Sequence, residues 1–230
     1  MNNKNIIVVI SLIRRLEQAT LKNSEIVADL IRAFGIVQWG PPVFGEDEKY
    51  KNRSEDMAGI YQTPGQLSKA LIYLSQFEIN SYCEIGTFQG GNFIFVSEYL
   101  RRFNPDIKCQ GIDPTNFLNP EIREIIDAEE WLTFSPVTSD DIAGQQYDLC
   151  LLDGDHTAEW IAKDWQNVGR HAKICMVHDI QEITCPDIVA FWNNLKTMRG
   201  KATMEYLDHS ADVPLQGIGI IHDKKLAVKA

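Results

Sequence analysis

The stretch Tyr82-Cys83-Glu84-Ile85-Gly86-Thr87-Phe88-Gln89-Gly90-Gly91-Asn92 decides the fold. A short apolar strand ends in Glu-Ile-Gly, and a glycine-rich turn opens a helix. Glycines let a ligand approach the backbone, and a helix N-terminus offers free N–H groups. Working outward, strand candidates recur at 108–113, 132–137, 147–153 and 174–179. Helix candidates at 89–102, 120–129 and 158–168 alternate with them. Strands alternating with helices of this length read as βαβ units in a parallel, doubly wound α/β sheet. Two more strands, 202–207 and 217–222, follow a helix at 186–198. In such a sheet a nucleotide-like ligand sits at the first strand-to-helix turn. Glu84 could then take an ammonium group, and Asp113, ending the second strand, could accept hydrogen bonds from ribose hydroxyls.

Upstream the pattern differs. Leu21, Ile26, Val27, Leu30, Ile31 and Phe34 have helical spacing over 19–34. An irregular stretch, 35–62, carries Gly40-Pro41-Pro42 and a charged run. Thr63-Pro64-Gly65-Gln66 then reads as a capping box with proline at the first helical position. Leu67, Ala70, Leu71, Leu74 and Phe77 continue as one apolar stripe. The apolar run Ile6 to Ile13, closed by Arg14-Arg15, is too short to span a bilayer. No small-residue cleavage site follows it, so it reads as a helix packed on the domain or on a second subunit.

Composition narrows the class. The 230 residues are 44% hydrophobic and 23% charged, which is ordinary globular usage and excludes disorder or a coiled coil. A chain of this size buries roughly 70% of its unfolded surface, so it needs no disulfide or metal to fold. Lys+Arg 22 against Asp+Glu 32 gives a net charge of −10, a poor match to a phosphate backbone. Five unpaired-looking cysteines, at 83, 109, 150, 175 and 185, indicate a reduced, cytoplasmic setting. The first four sit in apolar strands as small core residues.

Two further segments carry chemistry. Tyr147 to Asp153 is an apolar strand followed by Gly154-Asp155-His156-Thr157, and 174–177 is another, followed by His178-Asp179. Parallel strands bring their carboxyl ends to one edge, so Asp153, Asp155, His156, His178 and Asp179 should converge beside the ligand. Such a cluster suits a divalent metal. It equally suits a general base with an orienting acid. Asp155 and Thr157 also read as helix caps. His171, His209 and His222 read as surface or structural.

The segment around Glu84, Gly86 and Gly90 resembles the first motif of the class I S-adenosylmethionine-dependent methyltransferases, E/D-x-G-x-x-x-G, and Asp113 matches their acid after strand two. The resemblance extends over residues 55–225. It implies a Rossmann-like, seven-stranded, mostly parallel sheet whose last strand is antiparallel. The cofactor-binding residues it implies are Glu84, Gly86, Thr87, Gly90, Asp113, Ser139, Asp140 and Asp153. Asp153 with His156 three residues on, then His178-Asp179, is similar to metal-dependent O-methyltransferases of the macrocin type. In distantly similar catechol-type enzymes the base stands three residues beyond the first Asp. That implies a metal held by Asp153, His178 and Asp179, with His156 as the base. His178 stands where a carboxylate would usually help hold Mg²⁺, which weakens the Mg²⁺ assignment and leaves Mn²⁺, another transition metal or no metal open.

The expected function is methyl transfer from S-adenosylmethionine to a hydroxyl of a small sugar-like or natural-product molecule. Residues 1–62 would be a helical extension and substrate lid, with Trp39, Tyr50 and Tyr61 as wall residues, and 63–230 the cofactor domain. No membrane and no nucleic acid is expected as a partner, and the apolar N-terminal helix suggests a dimer contact. Nucleic-acid methylation is disfavoured because Asp-Gly-Asp-His stands where an Asn-Pro-Pro-Tyr-like tetrapeptide would be. A nicotinamide-dependent oxidoreductase shares the plan but would need G-x-G-x-x-G. A non-catalytic binding module is the third reading.

Overall fold

The computed structural model describes residues 4–36, 59–207 and 216–228. Its strands are β1 (Ser81–Ile85), β2 (Lys108–Ile112), β3 (Leu132–Ser135), β4 (Leu149–Leu152), β5 (Ile174–His178), β6 (Lys201–Tyr206) and β7 (Ile218–Asp223). They form a seven-stranded sheet in the order β3-β2-β1-β4-β5-β7-β6. The first five are parallel, and β7 runs antiparallel to both β5 and β6. The helices are α1 (Lys4–Arg15), α2 (Ser24–Phe34), α3 (Pro64–Leu74), α4 (Gly91–Arg101), α5 (Pro120–Ala128), α6 (Ala158–Asn167) and α7 (Pro186–Leu195). This is the expected Rossmann-like α/β architecture. The strand order reverses at β1, which lies between β2 and β4, and there the crossovers diverge and leave a crevice.

The strands alternate between two apolar layers. Tyr82, Leu149, Leu151, Ile174 and Met176 face one, and Cys83, Cys150, Leu152, Cys175 and Val177 face the other. Burial on both faces is what makes these strands read as continuous apolar runs. Cys83 pairs across to Cys150 and Cys150 to Cys175, so three thiols lie abreast on one face. All five cysteines are free and buried.

The helix expected at 19–34 is shorter than its spacing suggested. A 3₁₀ turn at Thr20–Lys22 precedes α2, and the Asn23 side chain caps that helix by accepting from the Glu25 and Ile26 N–H groups. The capping box expected at Thr63 does not form. Gln216 Oε1 instead accepts from Thr63 N (2.9 Å) and Oγ1 (2.7 Å), and Gln66 Oε1 accepts from Gly217 N (3.1 Å). Both polar groups are spent tying α3 to the start of β7.

Helix α1 buries Ile6, Val9, Ile10 and Ile13, and leaves Ile7, Val8 and Leu12 exposed. Each buried side chain contributes up to roughly 1.5–3 kcal/mol. Arg14 anchors its end by donating to the buried Glu98 of α4 and to Glu129. Ile36 and Ile60 form a parallel bridge, with Ile60 N donating to Gly35 O at 2.7 Å. Among the described residues, no helix is long and apolar enough to cross a membrane.

Candidate active site

A cavity of about 870 Å³ opens at the carboxyl edge of the sheet, at the reversal beside β1. Its floor is the turn after β1. Gly86 has φ +88°, and a Cβ there would stand 2.0 Å from the Asp153 carbonyl oxygen, so only glycine fits. Gly90, also at φ +88°, begins α4 where a Cβ would meet Ile122 at 2.5 Å. Thr87 Oγ1 donates to Ile112 O at 3.0 Å and fixes the turn to β2.

Glu84 lies beneath the turn, 1% exposed. It accepts from the Tyr82 hydroxyl and from Asn92 Nδ2, the latter at 3.0 Å. Burial pushes its carboxyl up to about 8, against the Tyr82 hydrogen bond, and the nearby Asp153 adds to the rise. Asp113 also lines the cavity, and its oxygens accept from Phe88 N (2.9 Å) and Thr115 N (3.0 Å). Each oxygen keeps a second lone pair for a ligand hydroxyl.

The opposite end gathers the acids and histidines. Asp153 follows β4, and His178 ends β5. His178 Nδ1 is 3.1 Å from Asp153 Oδ1 and 3.2 Å from Asp179 Oδ2. Asp179 adopts φ +60°, unusual for a residue with a side chain, and its Oδ2 is also 3.2 Å from His156 Nε2. Burial would lower the His178 pKa, but Asp153 and Asp179 together raise it well above the ordinary value. Burial would likewise raise the Asp179 carboxyl, and the two imidazoles hold it well below the usual range. The Asp179 hydrogen bond raises His156 as well. His156 is the most accessible member, its side chain 48% exposed.

The donor set fits a divalent cation. Asp153, His178 and Asp179 bring three ligand atoms within 4.8 Å of one another, and the 3.1–3.2 Å spacings match neighbouring ligands of one ion. One imidazole with two carboxylates suits Mn²⁺ and its neighbours at least as well as Mg²⁺.

At the third corner, Ser139 lines the cavity and Asp140 does not. Asp140 is held outside by Lys163 Nζ (2.9 Å) and Asn167 Nδ2 (2.8 Å). Asp164 of α6 is the acid that faces inward here. It is 3% exposed, accepts from Ser139 Oγ at 2.6 Å, and is pushed up by burial. Asp155 lines the cavity and also accepts from Thr157 N at 2.9 Å, while Thr157 caps α6. Of the aromatic wall, Tyr61 lines the cavity and packs 5.6 Å from Phe88. Trp39 and Tyr50 lie outside the described residues, as does His209. His222 is buried against Tyr73 at the far end of β7, away from the site, and His171 is exposed in a 3₁₀ turn.

Sequence reasoning missed Gln62, Asp164 and Cys185. Gln62 is 3% exposed and donates to Asp153 Oδ2, a contact across 91 positions that no local pattern encodes. Asp164 left a signal, being an acid on the same helical face as the buried Ile161 and Trp165.

No protein-family model and no curated protein matches the chain. Solved structures do. A provisionally assigned O-methyltransferase from Klebsiella pneumoniae superposes with a TM-score of 0.55 at 14% identity, over 89% of this chain and 99% of that one. The O-methyltransferase TomG of Streptomyces achromogenes, involved in tomaymycin synthesis and solved with S-adenosylmethionine, gives 0.54 at 13%, over 71% and 81%. An O-methyltransferase from Bacillus cereus, solved with S-adenosylhomocysteine, gives 0.54 at 11%, over 97% and 100%. At these identities the likeness is one of fold: the chain has the Rossmann-like architecture that these methyltransferase structures share.

Proposed function

We propose that the protein is an S-adenosylmethionine-dependent O-methyltransferase acting on a hydroxyl of a small molecule of the sugar or natural-product type. The observation that carries this reading is the meeting, in one cavity, of the Glu84–Gly90 turn with the Asp153, His156, His178 and Asp179 cluster. The fold shared with methyltransferases solved with this cofactor supports it. Seven acids line the cavity and, among the described residues, no lysine or arginine does. That favours a cationic cofactor and disfavours the pyrophosphate of a nicotinamide dinucleotide.

The cofactor supplies a methyl group activated on a positively charged sulfur. The chain's own residues divide the remaining work. Glu84 offers its carboxylate to the cofactor's ammonium, and Asp113 offers lone pairs to ribose hydroxyls. Ser139 and Asp164 border the cavity on the α6 side. His156 takes the acceptor's proton at Nδ1, and Asp179, 3.2 Å from Nε2, orients that ring and stabilises the imidazolium. A divalent ion held by Asp153, His178 and Asp179 would lower the acceptor's hydroxyl pKa. The protein otherwise contributes by positioning the acceptor, the largest part of such a reaction.

The test is calorimetric titration of chelator-treated protein with S-adenosylhomocysteine, followed by Mg²⁺ or Mn²⁺ and a panel of hydroxyl-bearing acceptors. Micromolar binding is expected, with acceptor heat that depends on the metal. No binding under any condition would remove the methyltransferase reading.

A further inference from the structure

The cavity holds a second set of metal-ligating atoms, of which the proposed chemistry leaves Cys185 unused. His156, Asp179 and Cys185 bring an imidazole nitrogen, a carboxylate oxygen and a thiol sulfur within 4.8 Å of one another. The three come from separate elements: the lead-in to α6, the end of β5 and the N-terminus of α7. Cys185 differs from the other four cysteines, which lie in the sheet away from the cavity, whereas Cys185 lines it. It is the N-cap residue of the ten-residue α7, at the positive end of that helix, while burial and then Asp179 raise its thiol.

Donor chemistry separates this triad from the neighbouring one. Thiolate with imidazole and carboxylate selects borderline ions such as Zn²⁺ or Co²⁺ over Mg²⁺. On a tetrahedral ion with bonds of about 2.0 Å, ligand atoms stand about 3.3 Å apart. The His156 Nε2 to Asp179 Oδ2 separation is 3.2 Å. Three protein ligands leave the fourth position to water or to a ligand in the cavity. His156 is half exposed, so an ion can enter from solvent.

We propose that His156, Asp179 and Cys185 form a binding site for a borderline divalent ion of the Zn²⁺ or Co²⁺ kind, whose occupancy withdraws His156 from proton transfer. Binding converts the Cys185 thiol to a metal thiolate and releases one proton to solvent. Because Asp179 belongs to both triads, a hard ion beside Asp153 and a softer one beside Cys185 compete for the same carboxylate. Only the inhibitory consequence rests on the methyltransferase reading; the binding does not.

The experiment is a Co²⁺ titration of the chelator-stripped full chain, followed by absorption. One equivalent should produce a thiolate-to-cobalt charge-transfer band in the near ultraviolet together with tetrahedral visible bands. Cys185→Ser should lose the charge-transfer band. His156→Gln, at a half-exposed position, should weaken Co²⁺ binding about tenfold or more. Zn²⁺ should bleach the spectrum, and Mg²⁺ should not. A wild-type spectrum without the band, or a band that survives in folded Cys185→Ser, overturns the site. S-adenosylhomocysteine binding on the same preparation tests the functional reading separately.

Discussion

Two glutamates, Glu84 and Glu98, are each 1% exposed, and the chain treats them in opposite ways. Glu98 faces the seam with α1, where Arg14 gives it a guanidinium and is itself held more firmly charged by that bond. Glu84 faces the cavity with only neutral donors, Tyr82 and Asn92, and its carboxyl rises to about 8. The same division runs through the molecule. Asp140 has Lys163 and Asp148 has Lys173, both away from the cavity. Inside it the acids meet imidazoles, amides, hydroxyls and backbone N–H groups. Glu98 carries its own guanidinium, and Glu84, beside the cavity, has no lysine or arginine partner.

That contrast can be broken at several points. The largest effect is expected at His156. His156→Ala should lower turnover about a hundredfold or more while stability moves by less than about 0.5 kcal/mol, since the side chain is half exposed. Steady-state rates beside a thermal melt decide it, and equal turnover would remove the base assignment. In the unsubstituted protein the raised His156 pKa keeps the ring protonated at low pH. Activity should therefore rise with pH along a limb above the ordinary 6.5.

Glu84→Gln should weaken S-adenosylhomocysteine binding by about 2 kcal/mol, roughly thirtyfold, by calorimetry. Arg14→Met should do the reverse, sparing affinity and costing about 2 kcal/mol of stability. That figure is discounted from a fully buried pair because Arg14 is 42% exposed. A chemical-denaturation midpoint reads it, and adding Glu98→Gln should recover most of the loss.

The last effect is a slope, small at any one pH step. Between 4.5 and about 8 the folded chain keeps the Glu84 proton that the unfolded chain gives up. Stability from this group is therefore complete at low pH and falls as pH rises through that window, by at most about 1.4 kcal/mol per unit. Glu84→Gln should flatten the slope in urea titrations at pH 5 to 8.

The fold was legible because its signals are local. β1 at Ser81–Ile85 follows from its apolar run and the glycines after it, and the β4 and β5 ends at Leu152 and His178 follow from apolar strands stopping at polar turns. Convergence of the acids and histidines needed only the rule that parallel strands share a carboxyl edge. What stayed hidden depends on pairing across the chain. Thr63 looked like a cap because the sequence does not reveal that Gln216 takes its hydroxyl. Asp140 was expected at the cofactor, but Lys163 and Asn167, one turn of α6 apart, draw it outward, and Asp164, which was not expected, faces inward.

The bridge between Ile36 and Ile60 has an evolutionary consequence. It fastens the two ends of the 37–58 segment at residues already in the core, so the sheet does not register how many residues lie between. For a flexible insert, doubling the length of such a closed segment costs only about 0.6 kcal/mol. The position therefore works as a splice point, where the length between Ile36 and Ile60 can change without renegotiating the sheet.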